Sequence, residues 1–339
     1  MAKYDNNLTF LYSENARMKI KEMAGLLRKS PQRLKYSIMQ LENQNILNNL
    51  HCIFDYSYFG LLLFRVYFKG GYISEKDRYN TLKTLGENPY VTSVYELSGE
   101  FDLAVDMMSP NPSRFNKELK KMGSVIPTLT DYKVILNVVT HVYPKSYLTT
   151  DEALSPPDRD TVVGGDRTVE KFTDEEMAVM KYLFYNPQTR MTTLARKSGM
   201  NVKTAKSIIK NLKGRRIIKG FKYMLDTNKL EIHKYRLFLN LHNVTQEREK
   251  QLMDYLLHTK EVVQFNKTVG DWEMEVDIES PDKNRIRKLI MEIREEFKDL
   301  IESFNITEFY KYYKKSYLPV YLFHPELAAP PPKLGPPPK

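Results

Sequence analysis

The stretch VYELSGEFDLAVDMMSP, residues 94–110, decides the fold, because the chain contains a second version of it. FNKTVGDWEMEVDIESP, residues 265–281, has its glycine at the same sixth place, then alternating apolar residues and the same Asp-x-x-Ser-Pro ending. Apolar residues at every second position predict a strand with one buried face. A strand, a glycine-centred turn and a second strand predict a β-hairpin. The chain is therefore expected to form this hairpin twice.

The correspondence extends through most of the chain at a nearly constant spacing. Gly99 and Gly270 lie 171 positions apart, and so do Arg65 and Arg236. The tetrapeptide KSYL at 145–148 recurs at 315–318, with the spacing reduced to 170. These matches predict a tandem duplication of a unit of about 150 residues, which is long enough for two small domains.

The bulk composition describes a basic, globular chain. Hydrophobic residues make up 42% of the 339 residues, the net charge is +10, and there is a single cysteine. No apolar run is long enough to span a bilayer, and the N-terminus does not have the pattern of a signal peptide. A reducing cytoplasmic location without a disulfide framework is expected. The positive charge favours a polyanionic partner.

Each repeat begins with the pattern of three short helices. Thr173 and Glu176 have capping-box spacing, Asn201 is placed to cap a third helix, and Ser30-Pro31 supplies the equivalent cap in the first repeat. A tight turn before a third helix with one polar face predicts a helix-turn-helix, here followed by a short β-wing. A small helical packing domain with a solvated third helix is the alternative interpretation.

After each wing the order is strand, helix, strand, strand, helix, strand, which predicts a ferredoxin-like unit. The predicted fold class is α+β, with two copies of a winged helix-turn-helix followed by a ferredoxin-like βαββαβ domain of the RAM type. The predicted domains are helix-turn-helix 1–55, sheet domain 56–148, linker 149–171, helix-turn-helix 172–227, sheet domain 228–318 and a tail 319–339 with a disordered proline-rich end.

This domain order resembles the Lrp/AsnC family of transcription regulators. The resemblance rests on the order of domains and on SGEFDL at 98–103 and VGDWEM at 269–274. It implies that the sheet domains pair and bind an amino acid or related effector between them, near Gly99, Asp102, Gly270 and Glu273. A tight turn would also require these glycines without any ligand. In such a family, two partners joined in one chain would form an intramolecular pseudo-dimer, and further homo-oligomers are expected.

Double-stranded DNA is the partner expected from the two capped, polar third helices. The window 201–220 holds seven basic residues and no acid, whereas 30–49 holds two basic residues and one acid. We expect the second copy to supply most phosphate contacts, while Gln32 and Arg33 of the first read bases. The predicted DNA-binding residues are Ser30, Gln32, Arg33, Lys35, Tyr36, Asn201, Lys203, Thr204, Lys206, Ser207, Lys210, Lys213, Arg215 and Arg216.

The predicted function is a sequence-specific DNA-binding transcription regulator, with no enzyme activity, catalytic residue, cofactor or metal. The chain has no phosphate-binding loop, dinucleotide fingerprint or nucleophile elbow, and its histidines lack metal-ligand spacing. One enzyme alternative stays open. The paired two-domain order is also similar to that of siroheme decarboxylases, in which basic and histidine residues of the sheet domain bind the carboxylates of the tetrapyrrole. His233, Arg236 and Arg65 are the corresponding residues here. A protein-binding module that has lost its DNA contacts is a third possibility.

Overall fold

The computed structural model describes residues 4–70, 74–156 and 159–328. Both repeats follow the predicted order, so the α+β fold class is confirmed. The first repeat consists of α1 Asn6–Glu14, α2 Ile20–Leu27, α3 Pro31–Asn43, β1 Leu47–Phe54, β2 Leu62–Lys69, α4 Glu75–Glu87, β3 Val91–Ser98, β4 Leu103–Ser109, α5 Pro112–Val125 and β5 Asp131–Val142. After β6 Thr161–Gly164, the second consists of α6 Asp174–Tyr185, α7 Met191–Lys197, α8 Val202–Gly214, β7 Ile218–Leu225, β8 His233–Leu241, α9 Gln246–His258, β9 Val262–Val269, β10 Met274–Ser280, α10 Lys283–Glu296 and β11 Ile301–Lys315.

The helix boundaries follow from local capping. The Ser30 side chain accepts a hydrogen bond from the backbone of Arg33 at the start of α3, and Asn201 does the same for Thr204 in α8. Thr173 and Glu176 form a complete capping box on α6. These bonds satisfy backbone N–H groups that have no partner within the helix, so the predicted starts of these helices are confirmed.

The sheet strands of both repeats close into one ring of eight strands, in the order β2-β4-β3-β11-β8-β10-β9-β5 and back to β2. We call this ring the barrel. The two predicted hairpins are its pairs β3–β4 and β9–β10. The sheet domains of the two repeats are therefore paired through backbone hydrogen bonds within one continuous sheet.

The last strand of each repeat makes this closure, because it is longer than its neighbours. The first half of β5 pairs with β2 of its own repeat, and the second half, from Leu136 to Val142, pairs with β9 of the other. In the same way β11 pairs with β8 up to Glu308 and with β3 from there to Lys315. Each repeat thus completes the sheet of its partner.

The two wings also pair with each other. Strands β1 and β7 form an antiparallel two-stranded sheet in which Cys52 lies opposite Phe221 and Leu47 opposite Leu225. Buried residues from the helices of both repeats pack in one continuous core around this sheet. The helix-turn-helix units therefore form one layer against one end of the barrel rather than two separate arms.

The segment 149–171, predicted as a linker, contains β6, which pairs with residues 139–142 of β5. Of the predicted tail 319–339, residues 319–328 form short turns, and the ring of Tyr321 lies 4.3 Å from that of Tyr90 with the two planes tilted by 32°. The proline-rich end lies outside the described residues. In the described ranges, no helix has the length and apolarity needed to cross a membrane.

Candidate functional site

A cavity of about 440 Å³ lies between the paired wings and the end of the barrel. We call it the wing–barrel cavity. Its walls are β7 with the loop 226–229, the second half of β11, the end of β5 and one face of β1. This volume lies within the usual range for small-molecule sites, about 300–1,000 Å³. The fold therefore places one ligand-sized space where all four domains meet.

The cavity wall carries an excess of positive charge, with six lysines against three carboxylates. The carboxylates are Glu14, Asp226 and Glu279. The lysines are Lys145, Lys222, Lys229, Lys234, Lys311 and Lys315. Clustered lysines attract anionic groups, and the attraction is stronger in a partly enclosed space than in water. The wall is therefore suited to a ligand with several negative charges.

Most of these lysines are held by carboxylates. Glu279 on β10 accepts from Lys145 and from the hydroxyl of Tyr147 at 2.6 Å, and Lys234 lies 3.1 Å away. Burial alone would raise the pKa of Glu279. The two lysines lower this pKa by more than burial raises it, so it lies well below its usual range. Lys222 is paired with Glu14 at 2.5 Å. Glu279 therefore stays ionised and orders one side of the cavity.

Lys315, the last residue of β11, has a different environment. No carboxylate of the described ranges lies within salt-bridge distance of its Nζ. Burial lowers the pKa of Lys315 to about 7, and the neighbouring Lys234 and Lys145 lower it as well. Its backbone carbonyl accepts a hydrogen bond from the side chain of Asn49 at 3.0 Å, which ties it to the wing. Lys315 is thus an unpaired lysine that titrates near neutral pH.

His51 on β1 is a neutral imidazole in the cavity wall. Its Nδ1 lies 2.8 Å from the carbonyl oxygen of Asn49, which can only accept, so Nδ1 carries the proton and Nε2 keeps its lone pair. Burial lowers the pKa of His51 to about 3, and Lys315 adds to the effect. The ring stacks on Tyr317 at 5.5 Å. His51 therefore offers a hydrogen-bond acceptor or ligand atom rather than a charge.

Aromatic rings complete the wall. The tyrosines that line the cavity are Tyr143, Tyr223, Tyr310, Tyr312 and Tyr317. Burial raises the pKa of Tyr312 well above its usual value and that of Tyr317 in the same direction, so both phenols stay protonated and can donate hydrogen bonds. Phe309 stacks on Tyr312 at 5.4 Å. Flat aromatic surfaces beside lysines suit a planar ligand with acidic substituents.

In the first repeat, the place that corresponds to the cavity is occupied by strand β6 of the protein itself. Residues 139–142 of β5 correspond to the part of β11 that borders the cavity, but here β6 pairs with the free edge. The Gly164 N–H donates to Asp55 at 2.9 Å, and Asp55 matches the cavity residue Asp226. Apolar Leu63 and Met108 stand where the second repeat has Lys234 and Glu279. Among the residues that the structure describes, the site therefore occurs once, although the scaffold is duplicated.

The predicted DNA-binding residues lie mainly on the exposed faces of α3 and α8, away from this cavity. Ser30 and Asn201 are used as helix caps. The guanidinium of Arg215 is paired with Glu170 and, at 2.5 Å, with Glu176. Lys213 lies 5.4 Å from the ring centre of Phe221, and burial lowers its pKa. Part of the positive charge counted in the sequence is therefore neutralised within the protein.

The predicted effector residues do not line the cavity. Gly99 and Gly270 form the hairpin turns at φ +134° and +153°. Asp102 accepts from the backbone of Gly70 at 2.5 Å, and Glu273 from that of Leu241 at 2.8 Å. Both carboxylates thus bind backbone of the neighbouring strand of their own repeat. An effector role for these four residues stays a prediction.

The repeated KSYL motif is the signal in the sequence that points to the site. Lys145, Lys315 and Tyr317 line the cavity, and Tyr147 binds the cavity residue Glu279. The first copy lies just after the last strand of its repeat and the second begins at the end of that strand, and both line the cavity at the same end of the barrel. No group of three His, Cys, Asp or Glu side chains is placed to hold a metal ion in the described ranges.

Comparison with solved structures shows the fold across the whole chain. The crystal structure of the siroheme decarboxylase NirDL matches 96% of this chain and 97% of its own, with a TM-score of 0.56 and 15% identity. A co-complex of NirDL with an iron-uroporphyrin III analogue matches equally well, at 16% identity. An AsnC family transcriptional regulator from Agrobacterium tumefaciens covers 42% of this chain and 90% of its own, with a TM-score of 0.35 and 15% identity. No protein-family model matches the sequence, and no curated protein sequence matches it.

Two predictions are corrected by this comparison. The predicted DNA-binding transcription regulator rested on the resemblance to Lrp/AsnC proteins, and the predicted lack of enzyme activity rested on the absence of known catalytic motifs. The matches that extend over both repeats are to an enzyme. The Lrp-like fold stands, and the enzyme alternative left open by the sequence is the one that the full-length matches favour.

Proposed function

We propose that this protein is a tetrapyrrole decarboxylase that binds a polycarboxylated, siroheme-like substrate in the wing–barrel cavity. The observation that carries the proposal is the excess of lysines over carboxylates in a ligand-sized cavity with aromatic walls. The full-length likeness to NirDL, including its complex with an iron-uroporphyrin III analogue, supports the same direction. In this proposal the duplicated Lrp-like fold serves as an enzyme scaffold.

The residues of the cavity have distinct parts in binding. Lys311 lines the cavity and is exposed, and no carboxylate of the described ranges lies within salt-bridge distance of it, so it is able to meet a substrate carboxylate. Lys234 and Lys145 are already shared with Glu279 and order the wall. The tyrosine rings provide contact area for a macrocycle, and their hydroxyl groups donate to its acidic substituents.

Decarboxylation makes two demands that this cavity is able to meet. The bond between a carbon and its carboxylate breaks, CO₂ leaves, and the electron pair stays on the carbon until a proton arrives. The lysines fix the other carboxylates, which orients the one that is lost. A protein group placed beside the carbon is suited to supply that proton.

Spectroscopic titration with iron-uroporphyrin III tests the binding step. We expect a shifted Soret band that saturates at one macrocycle per chain, followed with siroheme by loss of CO₂ seen in the product mass. The variant Lys311→Glu should weaken binding about tenfold, the equivalent of 1.4 kcal/mol. Lys210→Glu on α8 changes the net charge equally but lies outside the cavity, so it should bind like the parent protein.

Two outcomes would contradict the proposal. Equal weakening by both charge reversals would mean that the tetrapyrrole responds only to net charge. Saturable binding at one site without any change in the mass of siroheme would mean that the protein binds tetrapyrroles but does not decarboxylate them.

A further inference from the structure

We propose that Lys315 is the proton carrier of the wing–barrel cavity: it pairs with a carboxylate of the bound anion, takes up a proton as it does so, and delivers that proton to the carbon from which CO₂ departs. The delivery step rests on the proposed function. The coupling of anion binding to proton uptake is independent of the proposed function.

The internal duplication provides the comparison that singles out Lys315. KSYL places Lys145 and Lys315 at equivalent points, and both line the same cavity. Lys145 is held by Glu279, but the residue of the first repeat that corresponds to Glu279 is Met108. Lys315 has accordingly lost the partner that its equivalent keeps. A buried ammonium without a counter-ion is costly, and an anionic ligand would remove that cost.

The surroundings of Lys315 are aromatic on two sides. Its Nζ lies 5.6 Å from the ring centre of Tyr312 and 5.8 Å from that of Tyr317. The amine of Lys315 therefore lies beside the aromatic wall against which a flat macrocycle would pack. A lysine at the edge of such a ligand reaches a carboxylate substituent and the carbon that bears it.

The charges around Lys315 come from several elements. Lys234 on β8 and Lys145 after β5 oppose its protonation, and Asp277 on β10 and Asp106 on β4 favour it. His51 on β1 faces it as a neutral ring. With burial, the balance lowers the pKa of Lys315 to about 7. The amine is therefore largely neutral in the empty cavity above pH 7, and a ligand carboxylate raises the pKa again.

The chemical step conserves atoms and charge. The bond to the carboxylate breaks, CO₂ leaves, and the electron pair on the carbon takes a proton from the ammonium group, which forms a C–H bond. Lys315 is left as a neutral amine, a form that its environment already favours, and water returns the proton before the next cycle. No oxidant or reductant is needed. A lysine with a pKa near the working pH is suited to this exchange.

Calorimetric titration with iron-uroporphyrin III at about pH 8.5, in two buffers with different ionisation enthalpies, measures the protons taken up on binding. We expect the parent protein to take up close to one proton more than Lys315→Arg, because arginine stays charged at this pH. Affinity should fall by up to about tenfold per pH unit above pH 7 in the parent protein and stay flatter in Lys315→Arg. Lys210→Arg serves as the control.

Turnover gives the second measurement. Lys315→Arg should retain most of the Soret shift and lose at least about tenfold in kcat, because a guanidinium does not release its proton. Equal proton uptake in the parent and Lys315→Arg proteins would overturn the assignment, and so would an undiminished kcat. If the parent protein binds with the lysine-dependent uptake but never releases CO₂, the proton-linked anion site stands and the decarboxylase proposal fails. If the parent protein does not bind iron-uroporphyrin III at all, both the assignment of Lys315 and the decarboxylase proposal fail.

Discussion

The ring of His51 lies 5.5 Å from the ring of Tyr317, with the two planes inclined by 25°. His51 belongs to the wing of the first repeat, and Tyr317 follows the last strand of the second. The stack therefore links the beginning of one repeat to the end of the other, directly at the cavity. Both residues are buried, so the contact depends on a neutral imidazole.

We expect this contact to make the fold sensitive to acid. The pKa of His51 is about 3 in the folded protein and 6.5 in an unfolded chain, so the unfolded state binds more protons between these values. The stability contributed by the neutral ring is complete above pH 6.5 and declines as the pH falls towards 3, by up to roughly 1.4 kcal/mol per unit. His51→Phe should flatten the pH dependence of urea unfolding. An unchanged slope in this variant would show that other groups cause the acid sensitivity.

The two KSYL lysines should respond to the same substitution in opposite directions. Lys145→Met removes a partner of the buried Glu279 and should lower the free energy of unfolding by about 1–3 kcal/mol. Lys315→Met removes an unpaired ammonium and should raise the melting temperature at pH 6. The gain should be largest below pH 7 and shrink as the pH rises from 7 towards 10.5, because the native amine is then neutral while the unfolded amine is still protonated. Thermal melts at several pH values measure both effects, and a loss of stability in both variants at pH 6 would contradict the described environment of Lys315.

The sequence predicted what local patterns determine. The caps at Ser30, Thr173 and Asn201 and the alternation after Gly99 and Gly270 depend on neighbours within a few residues, and they gave the helices and hairpins correctly. The exchange of β5 and β11 between repeats depends on contacts far apart in the chain. Nothing in the local pattern of either strand indicates which sheet its second half joins.

The site was missed for a related reason. A count of charges in the window 201–220 favoured DNA, but the count does not show that Arg215 is paired with Glu170 and Glu176, which lie outside that window. The cavity lysines are scattered from position 145 to 315 and converge only through the fold. The recurrence of KSYL was visible in the sequence, and its chemistry became interpretable once both copies were placed at one cavity.

The closed edge of the first repeat provides a matched pair of substitutions. Gly164 and Gly165 adopt similar left-handed conformations, with φ +90° and +87°. A Cβ at Gly164 would lie 2.5 Å from the hydroxyl oxygen of Tyr56, whereas one at Gly165 meets only the side chain of Val139, at 3.9 Å. Gly164→Ala should therefore lower the free energy of unfolding by about 1–3 kcal/mol more than Gly165→Ala. Equal effects in chemical unfolding would mean that β6 is not packed tightly against Tyr56.

Inside the barrel, the carboxylate of Glu275 in the second repeat binds side chains of the first repeat. It accepts hydrogen bonds from Arg65 and from the hydroxyl of Tyr67 at 2.7 Å, both from the first repeat, and from the indole of Trp272 at 3.1 Å. Its counterpart in the first repeat is Ala104, so the second repeat alone supplies this charge. Glu275 is fully buried, but Arg65 is also paired with Asp106 at 2.7 Å and Arg236 with Asp277 at 2.6 Å, so both arginines keep a carboxylate when Glu275 is replaced. The loss is then that of buried hydrogen bonds to a charged group, about 1–3 kcal/mol.

Glu275→Gln should therefore lower the free energy of unfolding by about 1–3 kcal/mol, while Glu273→Gln, two residues away and exposed, should change it by less than about 1 kcal/mol. The fluorescence of Trp272, the only tryptophan, reports on the barrel, and far-ultraviolet circular dichroism reports on the helices. Because β5 and β11 are exchanged between the repeats, both signals should change in a single urea transition in each variant. Separate transitions would indicate that the repeats fold independently, and equal effects of the two substitutions would mean that the buried charge does not hold the repeats together.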